Sequence, residues 1–90
     1  MKYRKKPVVI EAMQWDGTRV GVDNIRAWAP KLETISLITN QIGEVTEWRI
    51  GTLEGGHSVS RFDFIIQGVA GEYYPCKPGI FAQTYDAIPD

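Results

Sequence analysis

Four side chains in this sequence of 90 residues have chemistry that could act on a bond: His57, Cys76, Glu11 and Asp63. His57 ends the run Glu54-Gly55-Gly56-His57, a hairpin tip by composition, and reads as an exposed turn residue before it reads as a base. Cys76 precedes Lys77 and a helix expected to start at Pro78, a setting that favours a thiolate. A Cys76–His57 nucleophile pair has the right residue types. No third residue to orient it is apparent, and a small packed side chain at a tight turn is the favoured reading of Cys76. Glu11 stands in an otherwise apolar strand and Asp63 just before an apolar run, positions from which a carboxyl could act as acid or base. One histidine and one cysteine cannot supply the roughly four ligands of a structural zinc site. Gly68-Val69-Ala70-Gly71 lacks the Lys-Ser/Thr that completes a phosphate loop. No metal and no cofactor are implied, and the catalytic inventory is poor.

The binding inventory is richer. The chain holds three Trp, four Tyr and three Phe. Tyr73 and Tyr74 are consecutive on a strand and so point to opposite faces. One is expected in the core, and the other is free to stack on a planar ligand. Arg49, Arg61 and Lys77 add cationic donors, and Glu11, Gln14 and Trp15 add polar and aromatic groups from the first strand. Aromatic faces beside a few cations suit a nucleotide. The candidate binding set is therefore Glu11, Gln14, Trp15, Arg49, Arg61, Tyr73, Tyr74 and Lys77.

Composition limits the class. Ten basic against eleven acidic residues give a net charge of −1, which disfavours a globally basic nucleic-acid binder. Four of the ten basic residues fall in the first six positions, and this cluster reads as a solvated tail or a protected edge strand, with phosphate contact the alternative. Val8-Val9-Ile10 is interrupted by Glu11, so the start does not read as a signal peptide, and no apolar run approaches the ~18–20 residues of a membrane helix. A single cysteine favours a reducing compartment. A soluble cytoplasmic protein is expected, folded as one domain over residues 1–90. A chain this short buries only ~60–65% of its unfolded surface, so a homo-oligomer is expected to enlarge the core.

The elements that must position these residues follow from periodicity. A strand is expected over about Lys6–Trp15. Both of its faces are apolar with one polar member, the pattern of a central strand covered on both sides. Asp16-Gly17-Thr18 is a turn. A short helix follows over about Asp23–Ala29, capped by Asp23 and stopped by Pro30, with Val22, Ile25, Trp28 and Ala29 on one face. Strands are expected over Thr34–Thr39, Val45–Leu53 (with a bulge at Gly51), Ser58–Phe62, Phe64–Ile66 and Glu72–Tyr74. Pro75 and Pro78 end the last of these, and Pro78 opens a short helix containing Ile80, Phe81, Thr84 and Tyr85. Ala87-Ile88 is a further edge strand. The fold class is α+β: one small, curved, mainly antiparallel sheet, a short helix after the first strand and a short C-terminal helix.

Two segments carry a resemblance. Met1-Lys2-Tyr3-Arg4-Lys5-Lys6-Pro7-Val8-Val9-Ile10-Glu11-Ala12-Met13-Gln14-Trp15-Asp16-Gly17 resembles the start of a family of small tailed-phage and prophage proteins. The stretch from Ile65 to Phe81, with Gly71-Glu72-Tyr73-Tyr74-Pro75-Cys76-Lys77-Pro78-Gly79-Ile80-Phe81 at its centre, resembles that family's C-terminal signature. Together they cover a little over a third of the chain; the middle, about Thr18–Arg61, has no counterpart. Relatives often carry a Gly-Asp pair before the apolar strand; here Asp63 matches and Phe62 replaces the glycine. The resemblance implies a phage accessory protein acting in the host cytoplasm. Such a protein would bind a host partner or sequester a small nucleotide-derived signal without turning it over. A small hydrolase of a nucleotide-like substrate and a structural or DNA-associated phage protein are the alternatives.

Overall fold

Positive-φ residues mark the reversals between consecutive strands, at Gly43, Gly55, Phe62 and Gly71, and the reversal at Phe62 separates the β segments into two groups. The computed structural model describes residues 1–89. The elements in order are β1 (Glu11–Gln14), α1 (Arg19–Trp28), β2 (Thr34–Thr39), β3 (Val45–Thr52), β4 (Gly55–Ser58), β5 (Phe64–Gln67), β6 (Tyr73–Cys76) and α2 (Pro78–Thr84). The fold is small α+β. Two three-stranded antiparallel sheets have orders β1-β5-β6 and β2-β3-β4, in place of the single curved sheet expected.

The split has a local cause. After β4 the chain reverses through Val59–Asp63, where Phe62 takes φ 71°, a left-handed conformation costly for a residue with a Cβ. Asp63, 2% exposed, closes this turn: its Oδ2 accepts from Ser60 N at 2.9 Å, and its backbone carbonyl accepts from Trp15 N at 2.9 Å. Phe62 N donates to Trp15 O at 2.7 Å. The chain therefore leaves β4 and enters β5 against β1, with Glu11 paired to Gln67 and Gln14 to Phe64.

β1 is shorter and more peripheral than its sequence suggests. It spans four residues at a sheet edge, and Val8 and Val9 are exposed. Its ladder stops at Glu11 because its partner β5 turns away at Gly68, whose N–H donates to Glu72 O at 2.7 Å. The helix starts four residues before the expected position. Thr18 is its N-cap, with Oγ1 accepting from Gly21 N at 3.0 Å, while Asp23 lies inside the helix and pairs with Arg19. In the β3–β4 hairpin the two-residue loop is Leu53-Glu54, and Gly55 takes φ 99° just after it. Gly51 pairs regularly with Gly56, so the expected bulge is absent there; the register shifts lie in β2·β3, next to Thr34 and Ile38. The return strand ends at Ser58, four residues before the expected Phe62. Pro75 does not end β6. It pairs with Ile65 inside the strand, which an edge position tolerates. Ala87 and Ile88 form no strand and are exposed.

The core lies between the inner faces of the two sheets and α1. Val22, Ile25 and Ala29 from α1 meet Trp48 and Ile50 of β3 and Ile65 and Tyr73 of the other sheet, with Trp15, Leu32 and Val59 filling between. Trp15 and Trp48 meet edge to face at 5.2 Å, and Trp28 meets Tyr73 at 6.0 Å. The opposite face of the first sheet is covered by α2, where Phe81 stacks on Phe64 at 3.8 Å and Tyr85 packs on Phe81. Alternation along β5 explains the division: Ile65 serves the main core and Phe64 and Ile66 the α2 side.

Candidate functional site

The eight candidate residues lie in four places. Gln14, Trp15, Arg61 and Lys77 converge on the Val59–Asp63 loop. Gln14 Nε2 donates to Phe62 O at 3.0 Å, and Trp15 is buried, its indole Nε1 donating to Thr18 O at 2.9 Å. Lys77 Nζ lies 3.1 and 3.2 Å from the Asp63 carboxylate and 3.1 Å from Ser60 Oγ. Trp15 and Lys77 thus build the loop, and their binding groups are engaged. Arg61 is exposed, with its guanidinium 5.8 Å from the Phe62 ring centroid. It also adds to the hydrogen bonds from Thr18 that hold the Asp16 carboxyl below its usual range.

Glu11 is exposed at the far end of β1, on the sheet edge, not desolvated between apolar layers. Arg49 is on the outer face of β3, where Nη2 donates to Gly56 O at 3.3 Å and Nε is buried without a hydrogen-bond partner. Tyr73 and Tyr74 divide as their spacing requires: Tyr73 is in the core and Tyr74 is half-buried on the opposite face.

The best-formed cleft lies beside this tyrosine pair. It has a volume of about 510 Å³ and sits where the β3–β4 hairpin packs against β6. Leu53, Glu54 and His57 line one wall; Glu72, Tyr74 and Pro75 line the other. Its size falls within the ~300–1,000 Å³ typical of small-molecule sites. Four of its polar lining residues, Thr52, Glu54, His57 and Glu72, lie outside the candidate set. Nothing in local sequence spacing brings a hairpin tip from one sheet to an edge strand of the other. His57 Nε2 lies 4.0 Å from Glu54 Oε2, both side chains largely in water. Burial, helped by the Tyr85 hydroxyl beside it, pushes the Tyr74 phenol up to about 12, so at neutral pH it is a hydrogen-bond donor with an intact ring face.

The nucleophile pair does not form. His57 faces this cleft, and Cys76 does not line it. Burial, with the Asp63 charge nearby, pushes the Cys76 thiol up, opposite to the activation expected from Lys77. Burial leads this shift, and the Lys77 ammonium is turned to the Asp63 carboxylate instead. Among the described residues no group of three His, Cys, Asp or Glu side chains is placed to hold a metal ion. Among the described residues no helix is long and apolar enough to cross a membrane. No family model, no curated protein and no solved structure matches the chain.

Proposed function

We propose that this chain is a binding module that holds a nucleotide-like small molecule, without turning it over, in the cleft between the β3–β4 hairpin and β6. The observation that carries the reading is the cleft itself: about 510 Å³, with half-buried Tyr74 among its lining residues. Its polar groups are the carboxylates of Glu54 and Glu72, the Thr52 hydroxyl, the Tyr74 phenol and His57. Carboxylates accept hydrogen bonds from the amino and imino groups of a base, and a ring face stacks on its plane. No lysine or arginine lines the cleft, so the base carries recognition and the phosphates extend toward solvent. In the phage setting that the two terminal segments suggest, this is an accessory protein of the host cytoplasm that withdraws a nucleotide-derived signal.

A thermal-shift screen of bases, nucleosides and linear and cyclic nucleotides tests this, with mass analysis of what is released on heat denaturation. A ligand of the folded state raises the melting temperature, by an amount that grows with the logarithm of its concentration over its dissociation constant. The expected result is a shift with nucleosides similar to that with the matching nucleotides, recovery of the compound unchanged, and loss of the shift in Tyr74→Ala. A cleaved product would favour a hydrolase. A flat screen would remove the small-molecule reading.

A second reading rests on a separate observation. Phe62 is 51% exposed while holding a left-handed backbone, with Arg61 over its ring. Strain retained at an exposed aromatic–arginine pair is the kind of feature found at protein contact sites. Under this reading a host protein docks on Phe62 and Arg61, and substitutions there abolish its capture while leaving the cleft unaffected.

A further inference from the structure

The four outer strands do not expose their edges equally. β6 contains Pro75, which offers no N–H, and it packs against β3 and β4. β2 carries two register shifts, and β4 is a short strand. These are the usual ways of blunting an edge against another chain. β1 is as short as β4 but lacks the proline and the register shifts. Glu11–Gln14 pairs with β5 on one side only and contains no proline, lysine or bulge.

Beside this open edge lies a groove of about 540 Å³, formed by Phe64, Phe81, Tyr85 and Ile88 together with the chain's own Val8–Ala12. Val8, Val9 and Ile88 are exposed at 42%, 78% and 66%. Residues 1–10 form no helix or strand and carry Lys2, Arg4, Lys5 and Lys6 with no acidic residue. Residues 11–90 hold the remaining six basic residues against all eleven acidic ones, a net charge of −5 opposite an arm of +4. Among the described residues none of the arm's four cations has an ionic partner, and neither does Glu11 or Asp86, the two carboxylates on the groove.

We infer that the occupant of the β1 edge is the N-terminal arm of a second copy of this chain. Residues Tyr3–Ile10 of each copy add as an antiparallel strand along Pro7–Gln14 of the other, a register that sets Lys6 opposite Glu11. Val8, Val9 and Ile10 are drawn toward the Phe64–Phe81 groove, and Lys5 and Lys6 face Glu11 and Asp86. Strand addition satisfies the free backbone groups of β1 and supplies affinity through main-chain hydrogen bonds. Reciprocal exchange makes the interface self-complementary about a two-fold axis. The opposite signs of arm and body set the direction of docking.

Sedimentation equilibrium of the full chain at about 0.1 mM, in ~0.05 M and ~0.5 M salt, tests the inference, because screening weakens such pairing as salt rises. The expected result at low salt is twice the 10.1 kDa mass of one chain, with the dimer dissociation constant rising at least tenfold at high salt. The double variant Lys5→Glu/Lys6→Glu is expected to be monomeric. Adding Glu11→Lys and Asp86→Lys to it is expected to restore the dimer. All four positions are exposed, so folding is kept, and unchanged far-ultraviolet circular dichroism checks this. A wild-type monomer at low salt overturns the inference, as does a dimer that survives charge reversal of the arm. A monomer whose arm binds a single-stranded oligonucleotide also overturns it and assigns the arm to nucleic acid.

Discussion

Phe62 shows how much one residue can be asked to tolerate. Its φ of 71° suits glycine. The turn holds a glycine-like conformation while carrying an aromatic ring. A left-handed backbone costs a residue with a Cβ about 1–2 kcal/mol, of which glycine's greater freedom in the unfolded chain returns part. Phe62→Gly is therefore expected to stabilise the fold by about 0.5–1 kcal/mol, read as a rise of a few degrees in melting temperature. If Phe62 is also a contact residue, the same variant loses the partner while gaining stability. Tyr74 makes a second prediction at this scale. Its phenol is pushed up to about 12 by burial, against 10.0 for the free side chain. An acid whose folded pKa is raised holds its proton more tightly when folded, so its contribution to stability is complete below pH 10 and is lost as pH rises through 12. Absorbance titration at alkaline pH should show one tyrosine ionising about two units late, and Tyr74→Phe should remove that step.

At the scale of elements, the Val59–Asp63 loop decides which strands pair. Asp63 ties Ser60, Trp15 and Lys77 to one point at the start of β5. Lys77 is 59% exposed, so its ion pair is screened and contributes less than ~1 kcal/mol. The buried carboxylate's bond to Ser60 N is the costlier loss, because it leaves a donor without a partner. Asp63→Ala is expected to destabilise by about 2 kcal/mol and Lys77→Ala by under ~1 kcal/mol in urea denaturation. Equal effects would mean that the ion pair, not the loop, is what Asp63 supports. Asp63 was legible in the sequence as a polar residue before an apolar run, and was weighed as an acid or base. Its burial and its three partners make it a structural clamp instead, which no spacing along the chain reveals.

At the scale of the molecule, two small sheets share one core centred on Trp48, which is 1% exposed and touches Trp15 edge to face. A domain of this size has only about 5–10 kcal/mol of stability in total. Trp48→Ala removes about 3–5 kcal/mol and is expected to leave the protein partly unfolded at 37 °C, as circular dichroism would show. Trp28→Ala, at a half-buried position, is expected to cost clearly less. The cleft beside Tyr74 depends on the same packing, because its walls belong to different sheets.

Periodicity along the chain determined by itself most of the elements: β2 with both ends correct, β3 to within a residue, the N1 proline of α2, and the opposite fates of Tyr73 and Tyr74. These depend on local geometry, which adjacent residues specify. Tertiary structure alone decided that β1 is an edge, that the β segments form two sheets and that Pro75 sits inside a strand. It also gathered Glu54, His57, Glu72 and Tyr74 around one cleft. Each of these depends on which strand lies beside which. That choice follows from the loop at Phe62 and Asp63 and from burial of the shared core, and a pattern of two or of 3.6 residues records neither.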